Sequence, residues 1–377
     1  MADDQTLRIL QILRAPVGGL FRHVRDLTEE LARRGHAIGV IADSLTSDAL
    51  TAERLDGLKP FASLGVHTMP MPRTLGFADF TTPYRIRKLG RALQVDVVHG
   101  HGAKGGLGAR FGRTRGQVAL NTPHGGVLNY KPGSLAGQFF RNAERSIGPI
   151  TDAYIFESAY AQRAFHEQVG KPPCREAVIH NGLREEEFEP VLLDPDAKDF
   201  VFIGEFRDIK GIRFLMEALG NLRRPDGRPA TIAMAGGGAE FELWQRHIAE
   251  HNLSDRVELL GVRPAREALR RGNVLVVPSL AESLPYVILE GTAAGRQVIS
   301  TTVGGIAEIF GPTAGSLVPP ADASALAAAM QRALDDPAGA QGEAAQRLAY
   351  VGPRFSVAHM TDRIETLYRE ALAARRS

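Results

Sequence analysis

Asn273 to Ile309 reads NVLVVPSLAESLPYVILEGTAAGRQVISTTVGGIAEI, and this stretch decides the fold. Val274 to Val277 is an unbroken apolar run of the kind a strand buried on both faces requires, and Pro278-Ser279 ends it. A polar loop holding Glu282 follows. Pro285 suits the first turn of a helix, so the chain is expected to turn helical there, to carry Glu290 in the second turn and to stop at Gly295. Gln297 to Thr301 reads as the next strand. Strand, loop, helix and strand in this order form a parallel α/β unit, and open parallel sheets bind ligands beyond the carboxyl ends of their strands. Glu282, Glu290 and the backbone of Ser283, Leu284, Pro285 and Tyr286 fall at that place. A helix start offers amides and partial positive charge to a phosphate, while a carboxylate accepts hydroxyl hydrogen bonds from a sugar or ribose. The combination suits a nucleotide-sugar.

The rest of the chain bounds that reading. With 377 residues, 44% apolar and 23% charged, it is too long for one ordinary domain and has the profile of a soluble globular protein, so two domains are expected. The single cysteine, Cys174, excludes an internal disulfide framework and a multi-cysteine metal site and fits a reducing cytoplasm. The opening MADDQTLRIL lacks the basic start and apolar core of a signal peptide, and no window approaches the roughly 18 apolar residues of a membrane span. A cytoplasmic protein is expected. Net charge is only +2, but Arg73 to Arg145 holds twelve Lys/Arg against three Asp/Glu. That stretch reads either as a solvated helix face, or as a surface drawn to the anionic inner face of the plasma membrane or to a lipid-diphosphate acceptor. No basic platform interleaved with aromatics occurs, so nucleic acid is not an expected partner.

Taken in order, Thr6–Leu13 is a first strand, and Gly18-Gly19 lies in the loop before an amphipathic helix from about Leu20 to Arg34. Ala37–Ala42 follows as a strand, so the chain opens on a βαβ unit whose glycine pair lets backbone approach a ligand. Thr82-Pro83 opens a basic helix that runs to Leu93. After a strand at Val95–His99, Gly100-His-Gly102-Ala-Lys-Gly105 spells G-x-G-x-x-G, the dinucleotide fingerprint. It lies deep in the domain, without the acid that should follow about 20 residues later to hold a ribose, so it is read as coincidence. Val118–Thr122 ends in Pro123-His124-Gly125-Gly126, which places His124 where a strand's carboxyl end can present it to a sugar hydroxyl. Glu185–Asp199 is acidic, proline-containing and without hydrophobic period, a linker. Phe200–Gly204 then starts a second domain. Beyond it, Arg207 and Lys210 stand in a loop before a helix and form a diphosphate site by charge and donor count.

Glu282-Ser-Leu-Pro-Tyr-Val-Ile-Leu-Glu290 resembles the E-x7-E signature of the retaining GT-B glycosyltransferases of family 4, and Val303-Gly-Gly-Ile-Ala-Glu-Ile309 is similar to the segment that follows it. The DVVHGH segment ending at His101, TPHG at His124 and VIHNG ending at Gly182 resemble family segments too. The resemblance covers nearly the whole chain. It implies a GT-B fold of two Rossmann-like, doubly wound α/β domains facing a central cleft. Residues 1–187 would bind the acceptor, 188–199 link, 200–355 bind the nucleotide-sugar, and a helix in 356–377 cross back to the first domain.

Residue by residue, the resemblance implies that Gly18 and Gly19 face the donor, that His124 contacts the transferred sugar, and that His101 and Lys104 line the cleft. Gly236 would lie in a glycine turn, and backbone at Val262 would hold the base. Glu290 would hold the ribose diol, and Glu282 with the backbone of Leu284 to Tyr286 would orient the sugar. The family pattern G-R-x-x-x-x-K-G is met at Lys210-Gly211, but Glu205 stands in the arginine's place and Arg207 two residues later. Arg207 is expected to replace the missing cation beside Lys210 at the leaving diphosphate. No D-x-D metal motif is evident, so neither a metal nor another cofactor is expected.

The activity implied is retaining transfer from a UDP- or GDP-sugar to a lipid-linked glycan in polysaccharide or lipopolysaccharide biosynthesis, with attachment to the inner membrane face as a further expectation. A soluble small-molecule acceptor, a sugar phosphorylase and a silent nucleotide-sugar-binding relative remain alternatives. A glycosidase would also pair two carboxyls, about 5 to 5.5 Å apart in retaining enzymes, but has no diphosphate to hold.

Overall fold

A computed structural model describes residues 5–45, 48–125 and 133–376. Gly126 lies outside the described residues. The chain divides into two compact units, Met1–Gly182 with Val357–Ser377, and Leu183–Ser356.

Among the described residues the first unit is built on seven parallel strands: β1 Arg8–Leu13, β2 Ala37–Asp43, β3 Val66–Met69, β4 Val97–His101, β5 Val118–Thr122, β6 Ala153–Phe156 and β7 Arg175–Val178. Their order is β3-β2-β1-β4-β5-β6-β7. The order reverses between β1 and β4, the switch point at which open α/β sheets form a crevice. The helices are α1 Gly18–Arg33, α2 Ala49–Asp56, α3 Ala78–Ala92, α4 Gly102–Gly112, α5 Leu135–Ile147 and α6 Ala159–Gln168. Alternate residues of β1 point to different cores, as a sheet covered on both faces demands: Ile9 and Leu13 join α1, while Leu10 and Ile12 join the α3–α4 side.

The glycines after β4 are packing residues. A Cβ on Gly105 would lie 2.2 Å from the carbonyl oxygen of Ile12, so α4 can lie against β1 only through a bare backbone. Helix α3 starts at Ala78, one turn before the expected Thr82-Pro83. Bonds from Phe80 and Thr81 to the carbonyl of Phe77 close that first turn, and Pro83 is accommodated inside the helix.

The second unit carries β8 Lys198–Ile203, β9 Ile232–Ala235, β10 Val257–Gly261, β11 Gly272–Val277 and β12 Gln297–Ser300, parallel and in the order β10-β9-β8-β11-β12. The reversal falls between β8 and β11. The helices are α7 Ile212–Gly220, α8 Phe241–Glu250, α9 Ala265–Leu269, α10 Tyr286–Ala293, α11 Ile306–Phe310, α12 Ala323–Asp335 and α13 Pro337–Val351. The final helix, α14 Val357–Arg376, belongs to the first unit, where Val357, Met360, Ile364, Leu367 and Tyr368 are buried in the core beside α1 and the sheet.

The expected boundary at 187 shifts to Gly182, and 188–199 is no free linker. The Leu183 amide donates to the Phe355 carbonyl, Arg266 holds the carbonyls of Glu187 and Glu189, and Arg270 and Arg271 pair with Asp194 and Asp196. These bonds tie the segment to the second unit, and an acidic, aperiodic sequence could not announce the arginines that would capture it.

Candidate active site

In the second unit the expected site residues gather at the switch point between β8 and β11. The loop leaving β8 carries Arg207 and Lys210, and the loop leaving β11 carries Glu282. Gly211 has φ of 70°, and a Cβ there would sit 2.0 Å from the carbonyl oxygen of Pro278. Only glycine permits that approach. The Leu280 amide then donates to the Ile209 carbonyl at 2.8 Å, fixing the two loops together. As a result the Lys210 ammonium lies 2.5 Å from the Glu282 carboxylate, which also accepts from the Ser279 hydroxyl at 2.7 Å.

The run Ser283-Leu284-Pro285 leads into α10, with Leu284 buried, Tyr286 as the first helical residue, and Glu290 half-buried one turn on. Helix α10 ends at Ala293, short of Gly295. Gly236 follows β9 and Val262 stands exposed beyond β10, so both lie at the same edge of this sheet. Arg207 differs from expectation in its partner: its guanidinium is exposed and pairs with Glu205 at 3.3 Å. The acid in the family arginine's place thus engages the cation expected to replace it.

Asp194-Pro195-Asp196 spells D-x-D, against the expectation that no such motif occurs. The structure gives it another role. Hydrogen bonds from Arg270 to Asp194 and from Arg271 to Asp196 hold both carboxyls below the usual carboxylate range.

In the first unit the corresponding place is the β1/β4 switch point. Gly18, with φ of 62°, and Gly19 open α1 directly after the β1 loop. Strand β4 runs on to His101, beyond the expected end at His99, so both histidines are strand residues. His124 follows β5 with a left-handed φ of 47°, strained for a non-glycine residue. Its Nε2 lies 3.2 Å from His101 Nδ1. His101 Nε2 is 2.7 Å from Gln11 Oε1, and His23 on α1 places Nδ1 3.0 Å from Asn181 Oδ1. His99 uses both nitrogens, on the Tyr368 and Thr122 hydroxyls.

These imidazoles are neutral at pH 7. Burial, aided by the neighbouring His124, lowers His23 to about 4, and burial lowers His99, His101 and His124 as well. Lys104 is engaged elsewhere, with Asp79 at 2.6 Å and the Thr74 carbonyl.

Gln11, His23, Asn181 and Tyr368 escaped the sequence reading as site residues. The alternation His99-Gly-His101 on a strand was the available signal, since it puts two histidines on one face. Nothing local to the C-terminal helix ties Tyr368 to β1 and β4.

Comparison with known proteins gives a family match in each half of the chain. Residues 17–187 match the model of Glycosyltransferase Family 4, and residues 197–336 that of Glycosyl transferases group 1. The chain carries a Glycosyltransferase Family 4 domain followed by a Glycosyl transferases group 1 domain. Glycogen synthase of Mycobacterium tuberculosis is 27% identical over 357 residues, covering 87% of this chain and 85% of the relative. Two solved structures share the fold. A glycosyltransferase of Rickettsia africae is 19% identical with a TM-score of 0.80, covering 98% of this chain and 99% of its own. Anabaena HepE, solved with UDP, is 18% identical with a TM-score of 0.75, covering 96% and 99%. The fold is GT-B, and the chain is an enzyme that transfers glycosyl groups.

Proposed function

We propose that this glycosyltransferase moves a sugar from a nucleotide-sugar, UDP- or GDP-linked, to a growing lipid-linked glycan in polysaccharide or lipopolysaccharide assembly, with retention of configuration and without a metal. The observation that carries the donor reading is the Lys210–Glu282 contact at the β8/β11 switch point. Lys210 offsets the charge that grows on the leaving diphosphate, and a positioned cation acts most strongly where charge develops in the transition state. Glu282 orients the sugar with the backbone of Ser283 to Tyr286, and Glu290 holds the ribose diol. Arg207, once released from Glu205, adds a second cation. In the first unit His124 offers a ring nitrogen to a sugar hydroxyl, with Gly18 and Gly19 leaving room for the donor. The UDP bound by Anabaena HepE supports a uridine nucleotide.

Two substitutions separate these roles. Glu290→Ala is expected to weaken nucleotide binding, while Glu282→Ala mainly slows transfer. Equal nucleotide affinity in Glu290→Ala and the parent would remove the ribose assignment. Thermal-shift measurement with UDP-, GDP- and ADP-sugars identifies the donor, because only a ligand of the native state raises its stability.

Helix α3 supports a lipid-linked acceptor and a peripheral membrane location. Phe77, Phe80 and Tyr84, at i, i+3 and i+7, are 82%, 81% and 69% exposed, and Arg85, Arg87, Lys88 and Arg91 stand exposed around them. An apolar cavity of about 480 Å³ beside them is lined by Leu75, Phe80, Pro83, Tyr84, Leu107 and Phe111. Exposed aromatics rimmed by cations suit the boundary of an anionic bilayer. No helix among the described residues is long and apolar enough to cross a membrane. Much of the remaining basic stretch faces inward: Arg110 is buried on Glu144, and Lys104 pairs with Asp79. Flotation should therefore be stronger with anionic than with neutral vesicles, and Phe80→Ser should reduce it; equal flotation with both vesicle types would sink the membrane reading. The Arg207–Glu205 pair favours a second reading, a relative that binds nucleotide-sugar without transferring it, which product formation would exclude.

A further inference from the structure

We propose that His23, His101 and His124 form a binding site for one divalent transition-metal ion of the zinc type. One ring nitrogen from each of the three lies within 4.8 Å of the others, and the ring centroids are 5.1 to 5.5 Å apart. The donor directions follow from the outer partners. An amide oxygen can only accept, so the bonds to Asn181 Oδ1 and Gln11 Oε1 require a proton on His23 Nδ1 and on His101 Nε2. That leaves lone pairs on His23 Nε2 and His101 Nδ1. His23 Nε2 has no hydrogen-bond partner among the described residues although the residue is only 1% exposed. A buried nitrogen with a lone pair and no donor is costly unless something fills it.

A histidine whose second nitrogen is fixed by a carbonyl oxygen is the arrangement found around bound zinc, and two of the three residues have it. Tyr368 extends that support, because Gln11 Nε2 donates to its hydroxyl at 3.4 Å. His99 packs 4.1 Å from His101, centroid to centroid, but both its nitrogens are engaged, so it is no ligand. Tetrahedral zinc with Zn–N of about 2.0–2.1 Å spaces its ligand nitrogens by about 3.4 Å. The His101–His124 pair stands at 3.2 Å already, and His23, with a ring nitrogen within 4.8 Å of the other two, must close by up to about 1.4 Å. His124, which donates its Nε2 proton to His101 Nδ1 in the metal-free protein, exchanges to the Nδ1–H tautomer; no net proton is released. Imidazole ligands select zinc, copper, nickel or cobalt over magnesium and calcium. Metal on His124 Nε2 turns Nδ1 of the same ring from an acceptor into a donor, which changes the hydrogen bond that the proposed function gives this ring with a sugar hydroxyl.

The test needs neither donor nor acceptor, so its outcome is independent of the transfer reading. Full-length protein, stripped with chelator, is titrated with Co²⁺ and Zn²⁺. One equivalent of either should bind, with the intense visible absorption of four-coordinate cobalt and a rise in Tm. His23→Gln should weaken binding by at least a hundredfold. Asn181→Ala, which removes only the acceptor that sets the His23 tautomer, should weaken it by about ten- to a hundredfold. A parent that binds no stoichiometric metal, or variants with the parent's affinity and spectrum, would overturn the site.

Discussion

At the scale of single residues, both switch points bring together side chains from distant parts of the chain. Lys210 and Glu282 come from loops 72 positions apart and meet only because Gly211 lets one loop lie on the carbonyl of Pro278. Their chemistry was legible in the sequence because each sits in a recognisable local pattern. The Arg207–Glu205 pair was not, since an acid two residues from a cation announces neither attraction nor release. The histidines make a prediction about pH. The unfolded chain takes up a proton on His23 near pH 6.5, whereas the native protein refuses it until about pH 4. Between those values the unfolded state binds more protons, so the stability associated with neutral His23 is complete above pH 6.5 and drains away as pH falls toward 4. The difference amounts to roughly 3 kcal/mol. Denaturant midpoints should fall steeply from pH 7 to pH 4.5, and His23→Gln should flatten the fall. A parent profile flat over that range would contradict the buried, neutral state.

At the scale of elements, the strands and the helices that follow them were readable wherever apolar period and punctuation agreed. Helix α13 was not. Pro337–Val351 is rich in alanine and glycine, and one of its core positions is an arginine. Arg347 is fully buried, its guanidinium 3.8 Å from the centre of the Phe310 ring, bonded to Thr313 Oγ1 and the Val298 carbonyl and paired with Glu343. A hydrophobic count scores that residue as surface, yet it attaches α13 to α11 and β12. Burial lowers its pKa to about 10, which still leaves it charged at neutral pH. Arg347→Ala should destabilise the second unit by roughly 3 kcal/mol, because it leaves Glu343, Thr313 and a strand carbonyl short of a donor. Urea unfolding reads the loss. A change below about 0.5 kcal/mol, ordinary for surface sites, would show that α13 is held by its alanines instead.

At the scale of the whole molecule, the chain leaves its first unit at Gly182 and returns to it at Val357, so the first unit is complete only when the last residues have been added. The family resemblance suggested this return, but no local signal in the sequence did, since the partners of α14 in α1, β1 and β4 lie more than 250 residues upstream. Val357, Met360, Ile364, Leu367 and Tyr368 are all buried there, and Tyr368 also bonds His99. At about 1.5–3 kcal/mol for each large apolar side chain, their loss removes on the order of 10 kcal/mol. A domain has only about 5–15 kcal/mol in total. A chain ending at Ser356 should therefore lose the first unit while keeping the second, whose own core lies within Leu183–Ser356. Hydrogen exchange distinguishes the two halves: amides of β1, β4 and β5 should exchange at near-unfolded rates in the truncated chain, and those of β8 and β11 should keep their protection. Because Lys210, Glu282 and Glu290 all lie in the surviving unit, the truncated chain should still bind nucleotide while transferring nothing. Full protection of β1 and β4 without α14 would mean that the final helix covers a core already stable by itself.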